Sequence, residues 1–115
     1  MSRSSPEASA ARRRQHAAQF AALGDETRLS LISELSAGEP RSIAHLTGGT
    51  RLTRQAVTKH LRVLEEAGIV HSERSGRESL YAFDPRPMHE LQDYLERVSA
   101  QWDQVLGRLK SFVES

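Results

Sequence analysis

Between Arg41 and Arg62 the chain carries five cationic side chains (Arg41, Arg51, Arg54, Lys59 and Arg62) and no acid. Thr53, Gln55 and Thr58 are interleaved with them and add short hydrogen-bonding groups. Such a set suits a polyanion that also presents hydrogen-bonding edges. Gln55 can form a paired bond with adenine, and Arg54 can bond O6 and N7 of guanine. Thr53 and the open amides at a helix start can hold a phosphate, with the positive end of the helix dipole behind them. Farther along, Arg74 and Arg77 suit a minor groove or its flanking phosphates. Other chemistries are poorly provided for. The chain has no cysteine, which excludes disulfides, thiolate metal sites and a thiol nucleophile. Gly48-Gly49 has no following Lys-Ser/Thr and so does not make a phosphate-binding loop. With no nucleophile elbow and no clustered His/Asp/Ser set, no enzymatic activity is expected. His60 sits at the edge between an apolar and a polar face and reads as a packing or phosphate-contact residue.

To act together these residues need a helix that shows them on one side. Val57, Leu61 and Leu64 repeat at helical spacing behind the N-cap candidate Thr53. Turning that stripe inward sends Gln55, Lys59 and Arg62 outward, with Thr58 on the flank. Ser42 caps a short helix carrying Ile43 and Leu46, which Gly48-Gly49 closes. A short helix, a tight turn and a second helix with a basic outer face make a helix-turn-helix, whose second helix enters the major groove. Ile69–Glu73 and Ser79–Phe83 alternate as strands around an Arg74-Ser75-Gly76-Arg77 turn. This gives the helix-turn-helix a basic ribbon beside it.

Upstream, residues 1–9 are small and polar and are expected to be a disordered tail. A first helix is expected from Ala10 to Leu23, with Ala17, Phe20, Ala21 and Leu23 as its apolar positions and Arg12-Arg13-Arg14 at its exposed start. Asp25 caps a second helix that places Leu29, Ile32 and Leu35 on one face. Pro85 and Pro87 separate the ribbon from a last helix over about Met88 to Val113. In that helix Leu91, Leu95, Val98, Trp102, Val105, Leu109 and Phe112 alternate spacings of four and three, as in a coiled-coil seam. Such a seam is expected to meet a second copy. Residues 10–115 thus read as a single domain, mainly α with a small β-hairpin.

At 115 residues the chain is long enough for a modest core without metal or disulfide. Its net charge of +1 hides an uneven distribution. Residues 41–81 hold seven Arg/Lys against four Asp/Glu, and residues 85–115 hold four against five. Basic character is therefore concentrated where a phosphate backbone would be met. No apolar run approaches the ~20 residues of a membrane helix. With no signal peptide visible, a cytoplasmic location is expected.

LGDETRLSLISEL (Leu23 to Leu35), SIAHL, LTRQAVTKHLRVLEEAGIV and GRESLYAF together resemble the ArsR family of winged helix-turn-helix repressors. The resemblance implies a dimer joined through the first and last helices, bound to an inverted-repeat operator until a signal releases it. It implies groove-facing roles for Gln55, Thr58 and Lys59 and wing contacts for Arg74 and Arg77; Arg51, Thr53, Arg54 and Arg62 complete the expected DNA-contacting set. Phe20, Leu91, Leu95, Val98, Trp102, Val105 and Leu109 are the expected dimer contacts. The implied partners are double-stranded DNA, a second copy and an unidentified effector. Family members that sense metals through a cysteine pair differ here, because SIAHLTGG has none. Others bind zinc between the last helices. Asp84, His89, Asp93 and Glu96 lie in that region, but the usual paired histidines are missing, so no cofactor is expected. The alternatives are a metal-responsive repressor of the same fold and a winged-helix module whose basic face meets an acidic protein.

Overall fold

The computed structural model describes residues 5–114. The chain order is α1 (Pro6–Leu23), α2 (Glu26–Leu35), β1 (Arg41–Ser42), α3 (Ile43–Gly48), α4 (Arg54–Glu66), β2 (Val70–Ser75), β3 (Glu78–Phe83) and α5 (Arg86–Glu114). Two compact units result, one through Pro85 and the other α5 from Arg86 onward.

Helix α1 starts four residues earlier than the apolar pattern suggests. The Ser5 hydroxyl accepts from the Ala8 amide at 3.0 Å, and Pro6, whose missing N–H costs nothing at a helix start, follows it. The tail expected over residues 1–9 is therefore helical from Pro6, and its first four residues lie outside the described ones. The buried face of α1 also differs from expectation. Gln19 and Ala22 are buried, Phe20 and Leu23 are half-buried, and Ala17 and Ala21 are exposed. Alanines ring this helix on every side, so its residue types mark no clear inner face.

Asp25 caps α2 through the Arg28 amide at 3.0 Å. Leu31 and Leu35 are its buried residues, four apart, while Leu29 is 52% exposed. The inner face is thus rotated from the one through Leu29. Ser42 caps α3 through His45 N at 3.1 Å, and Leu46 is fully buried. Val57, Leu61 and Leu64 of α4 are completely buried, as the spacing requires. With Leu31, Leu35, Leu46, Ile69 and Val70 they form the core of the first unit.

The end of α4 sets where the hairpin begins. Gly68 takes φ 77°, its amide bonds Glu65 O at 2.9 Å, and the Ile69 amide bonds Leu64 O at 2.9 Å. This is the Schellman arrangement, with buried Ile69 beside Leu64 as its apolar contact. Ile69 therefore belongs to the helix stop, and β2 begins at Val70. Strands β2 and β3 pair antiparallel from Val70↔Phe83 to Ser75↔Glu78. The hairpin loop is only Gly76-Arg77, with positive φ (63°) at Gly76 alone, as in a type II′ turn. Arg74 and Ser75 therefore lie on β2 and not in the turn. A third strand, β1, pairs with β3 (Arg41↔Tyr81, Ser42↔Leu80), so β3 is central in the order β1-β3-β2. Two residues beside Pro40 carry no strand periodicity, which is why β1 is not legible in the sequence.

Helix α5 runs 29 residues, beginning before Pro87, which is tolerated in a first turn. Leu91 is 3% exposed, whereas Leu95, Trp102, Val105, Leu106, Leu109, Phe112 and Val113 are all exposed. No helix among the described residues is long and apolar enough to cross a membrane.

Candidate nucleic-acid interface

Helix α4 builds the candidate site. With Val57, Leu61 and Leu64 fixed in the core, Arg54, Gln55, Thr58, Lys59 and Arg62 are brought together on the opposite side. They line one open hollow of about 380 Å³. No acidic side chain lines it. The residues the sequence selects for groove contact are thus adjacent in space, and all but half-buried Thr58 are exposed.

Local hydrogen bonds define what each group can offer. The Thr53 hydroxyl oxygen accepts from Ala56 N at 3.1 Å, capping α4. Its hydrogen is left to donate outward. The Arg54 and Gln55 amides have no partner within the helix by its geometry, so they remain donors for an anion. Thr58 behaves differently from a hydroxyl reader. Its Oγ1 donates to Arg54 O at 2.7 Å, so that hydrogen is not free for a base edge. The turn before α4 is braced by Thr50, whose hydroxyl donates to Thr47 O and accepts from Leu52 N, each at 3.1 Å. Arg51 is exposed on that turn, outside the hollow.

Arg41, one of the five cations of the acid-free stretch, is partly neutralised. It lies in β1 and pairs with Glu39 at 3.4 Å, an acid just outside that stretch. Arg74 and Arg77 are exposed at the distal end of the hairpin, also outside the hollow. The hairpin is tied back to α4 by Ser72 Oγ, which donates to Glu65 Oε2 at 2.8 Å. Tyr81 on β3 is buried, and its hydroxyl is held above its ordinary pKa by that burial and then by the nearby Glu65, with Arg62 opposing. Glu65 thus serves the wing and not the DNA-facing side, a role that its residue type alone does not signal.

Two further features escaped the sequence. Gln19 on α1 is fully buried; its Nε2 reaches Ala67 O at 3.4 Å and its Oε1 has no partner. His60 faces α2, with Nδ1 3.2 Å from Arg28 Nη1 and 3.7 Å from Asp25 Oδ2. Of the two roles open to it, packing fits this placement better than phosphate contact. Among the described residues no group of three or more His, Asp or Glu is placed to hold a metal ion. That includes the Asp84, His89, Asp93 and Glu96 set.

Comparison with known proteins agrees with this geometry. A model of a helix-turn-helix domain matches residues 23–73. The chain is 40% identical over 78 residues to YuzN, an HTH-type transcriptional regulator of Bacillus subtilis, covering 63% of this chain and 85% of that one. An ArsR-like transcriptional regulator from Rhodococcus sp. RHA1 superposes with a TM-score of 0.83 at 36% identity, over 92% of this chain and 96% of that one. The fold is also that of the homodimeric winged helix-turn-helix DNA-binding domain of Mb0332 from Mycobacterium bovis (TM-score 0.66, 23% identity, 92% and 94% covered). The chain belongs to the ArsR family of winged helix-turn-helix regulators. It is a DNA-binding transcriptional regulator in which α3–α4 is the helix-turn-helix and the β2–β3 hairpin is the wing.

Proposed function

We propose that the protein is a homodimeric repressor. In this reading it binds an inverted-repeat operator through α4 and the wing of each copy. The observation that carries the reading is the α4 surface itself: Arg54, Gln55, Thr58, Lys59 and Arg62 around one acid-free hollow, at the start of a capped helix. Arg54 and Gln55 are the base-reading pair, Thr58 supplies an apolar contact, and Lys59 and Arg62 hold phosphates. Arg51 and Thr53 hold the phosphate at the helix start, and Arg74 and Arg77 follow the backbone beside the groove.

One copy presents too few contacts for tight specific binding, so two must be joined. The seam of α5, exposed at Leu95, Trp102, Val105 and Leu109 and half-buried at Val98, supports pairing through that helix, and the relative from M. bovis is homodimeric. Phe20 on α1 is the proposed contact outside α5. Leu91 has little surface left to offer a partner. Repression is steric: two α4 helices in successive major grooves cover promoter DNA. An effector acting at the helical interface would change their spacing and so the affinity. A map of bound genomic DNA tests the reading. It should recover a pseudo-palindrome whose half-sites lie about 10–10.5 base pairs apart, centre to centre. Enrichment without a shared motif would remove the operator-reading role.

A further inference from the structure

Asp25, Arg28 and His60 meet where α1, α2 and α4 converge. Arg28 donates Nε to Ala22 O at 2.6 Å and Nη2 to Ala21 O at 3.3 Å, closing the carbonyl end of α1. Its remaining arm, Nη1, lies 3.2 Å from His60 Nδ1 on α4. A guanidinium is only a donor, so this contact requires a lone pair on Nδ1. The contact is a hydrogen bond only in the neutral form of the ring that carries its proton on Nε2. Asp25 Oδ2 waits 3.7 Å from the same Nδ1.

A proton taken from solvent by Nδ1 reverses these preferences. The Arg28 contact becomes two donors of like charge, and the Asp25 contact becomes an ion pair. Asp25 is ionised throughout the range in which histidines titrate. The Arg28 amide, and then the Arg28 and His60 charges, hold its carboxyl below the ordinary 3.8 against the opposing effect of burial. On α4 the positions three and four residues from the ring, Ala56, Val57, Val63 and Leu64, are uncharged, and the nearest charged residues in the sequence are Lys59 and Arg62. From the α1–α2 side, Arg28 Nη1 lies 3.2 Å and Asp25 Oδ2 3.7 Å from the ring.

We propose that Asp25, Arg28 and His60 form a proton-operated positioning device for the recognition helix. Neutral His60 ties α4 to the α1–α2 corner through Arg28. Protonation passes the ring to Asp25 and reseats α4, which carries Lys59 and Arg62 immediately beside it. The effect on DNA rests on the reading of α4 given above, whereas the exchange of ring partners does not.

Two measurements on the full chain decide it. Nitrogen NMR of the His60 ring should show the Nε2–H tautomer at pH 8, and a proton on Nδ1 at that pH overturns the proposal. Operator affinity should fall about fivefold from pH 8 to pH 5.5, the lower end of ordinary coupling between sites, and His60→Gln should flatten this ratio. Asp25→Asn keeps a capping side chain but removes the ion-pair partner, so it should move the midpoint of the loss to lower pH. Superimposable profiles for His60→Gln and the unaltered protein would overturn the device. So would an equal change on scrambled duplex, which would mean only an added charge. Failure to distinguish operator from scrambled duplex at pH 8 would count against the reading of α4 alone, leaving the tautomer to decide the exchange of partners.

Discussion

Gln55 and Arg77 differ most in the roles proposed for them in DNA binding. Gln55 lines the α4 hollow and can match both a donor and an acceptor on one base edge. Gln55→Ala is expected to weaken operator binding by roughly 1–3 kcal/mol while leaving scrambled duplex little affected. Equal weakening on both, measured by fluorescence titration, would count against base reading. Arg77 sits in a two-residue turn, exposed and away from that hollow. Arg77→Ala should weaken binding to every duplex and reduce the slope of log affinity against log salt by about one. An unchanged slope would place Arg77 off the DNA. Thr58 falls between these cases. Its hydroxyl hydrogen is committed to Arg54 O, so the contact proposed for it is through its methyl group.

The elements hold these side chains at defined positions, and the clearest example is the stop of α4. Gly68 at φ 77° lets the chain leave the recognition helix and enter β2 within two residues. A methyl group at this position would touch nothing within 4 Å, so the cost of Gly68→Ala is purely conformational. It should destabilise the fold by roughly 1–2 kcal/mol, read as a lower urea midpoint. An unaltered midpoint would show that the Schellman turn contributes little. α4 was legible in the sequence because Val57, Leu61 and Leu64 recur at helical spacing and Thr53 precedes them; both signals are local. The hairpin was legible for the same reason, apart from the width of its turn. What escaped depends on pairing across long stretches of chain. β1 exists because Arg41 meets Tyr81, and His60 is held by Arg28 thirty-two residues away. The inner face of α1 is not legible because an alanine-rich helix has little periodicity, and the residue it buries most fully is Gln19. The candidate groove residues are legible as a set, but the internal hydrogen bonds of Thr53 and Thr58 form only in the folded helix.

At the scale of the whole molecule, the proposed function requires a reader of modest size to be doubled. The helix from Arg86 to Glu114 would extend roughly 43 Å at 1.5 Å per residue. Its apolar residues beyond Leu91 are largely exposed, and Leu106 and Val113 widen the stripe past the seven-residue seam. A folded chain seldom leaves such a surface uncovered. Trp102, 60% exposed, lies outside the core of its own chain, so replacing it leaves the reader's core untouched. The most direct test is therefore the operator affinity of Trp102→Asp, with light scattering to report its mass and scrambled duplex as reference. The unaltered protein should be dimeric and prefer its operator by about 10³ or more. Trp102→Asp should be a folded monomer whose affinity for the operator falls to that for scrambled DNA. A monomer that still prefers the operator as strongly as the unaltered protein would contradict the claim that two readers must be joined.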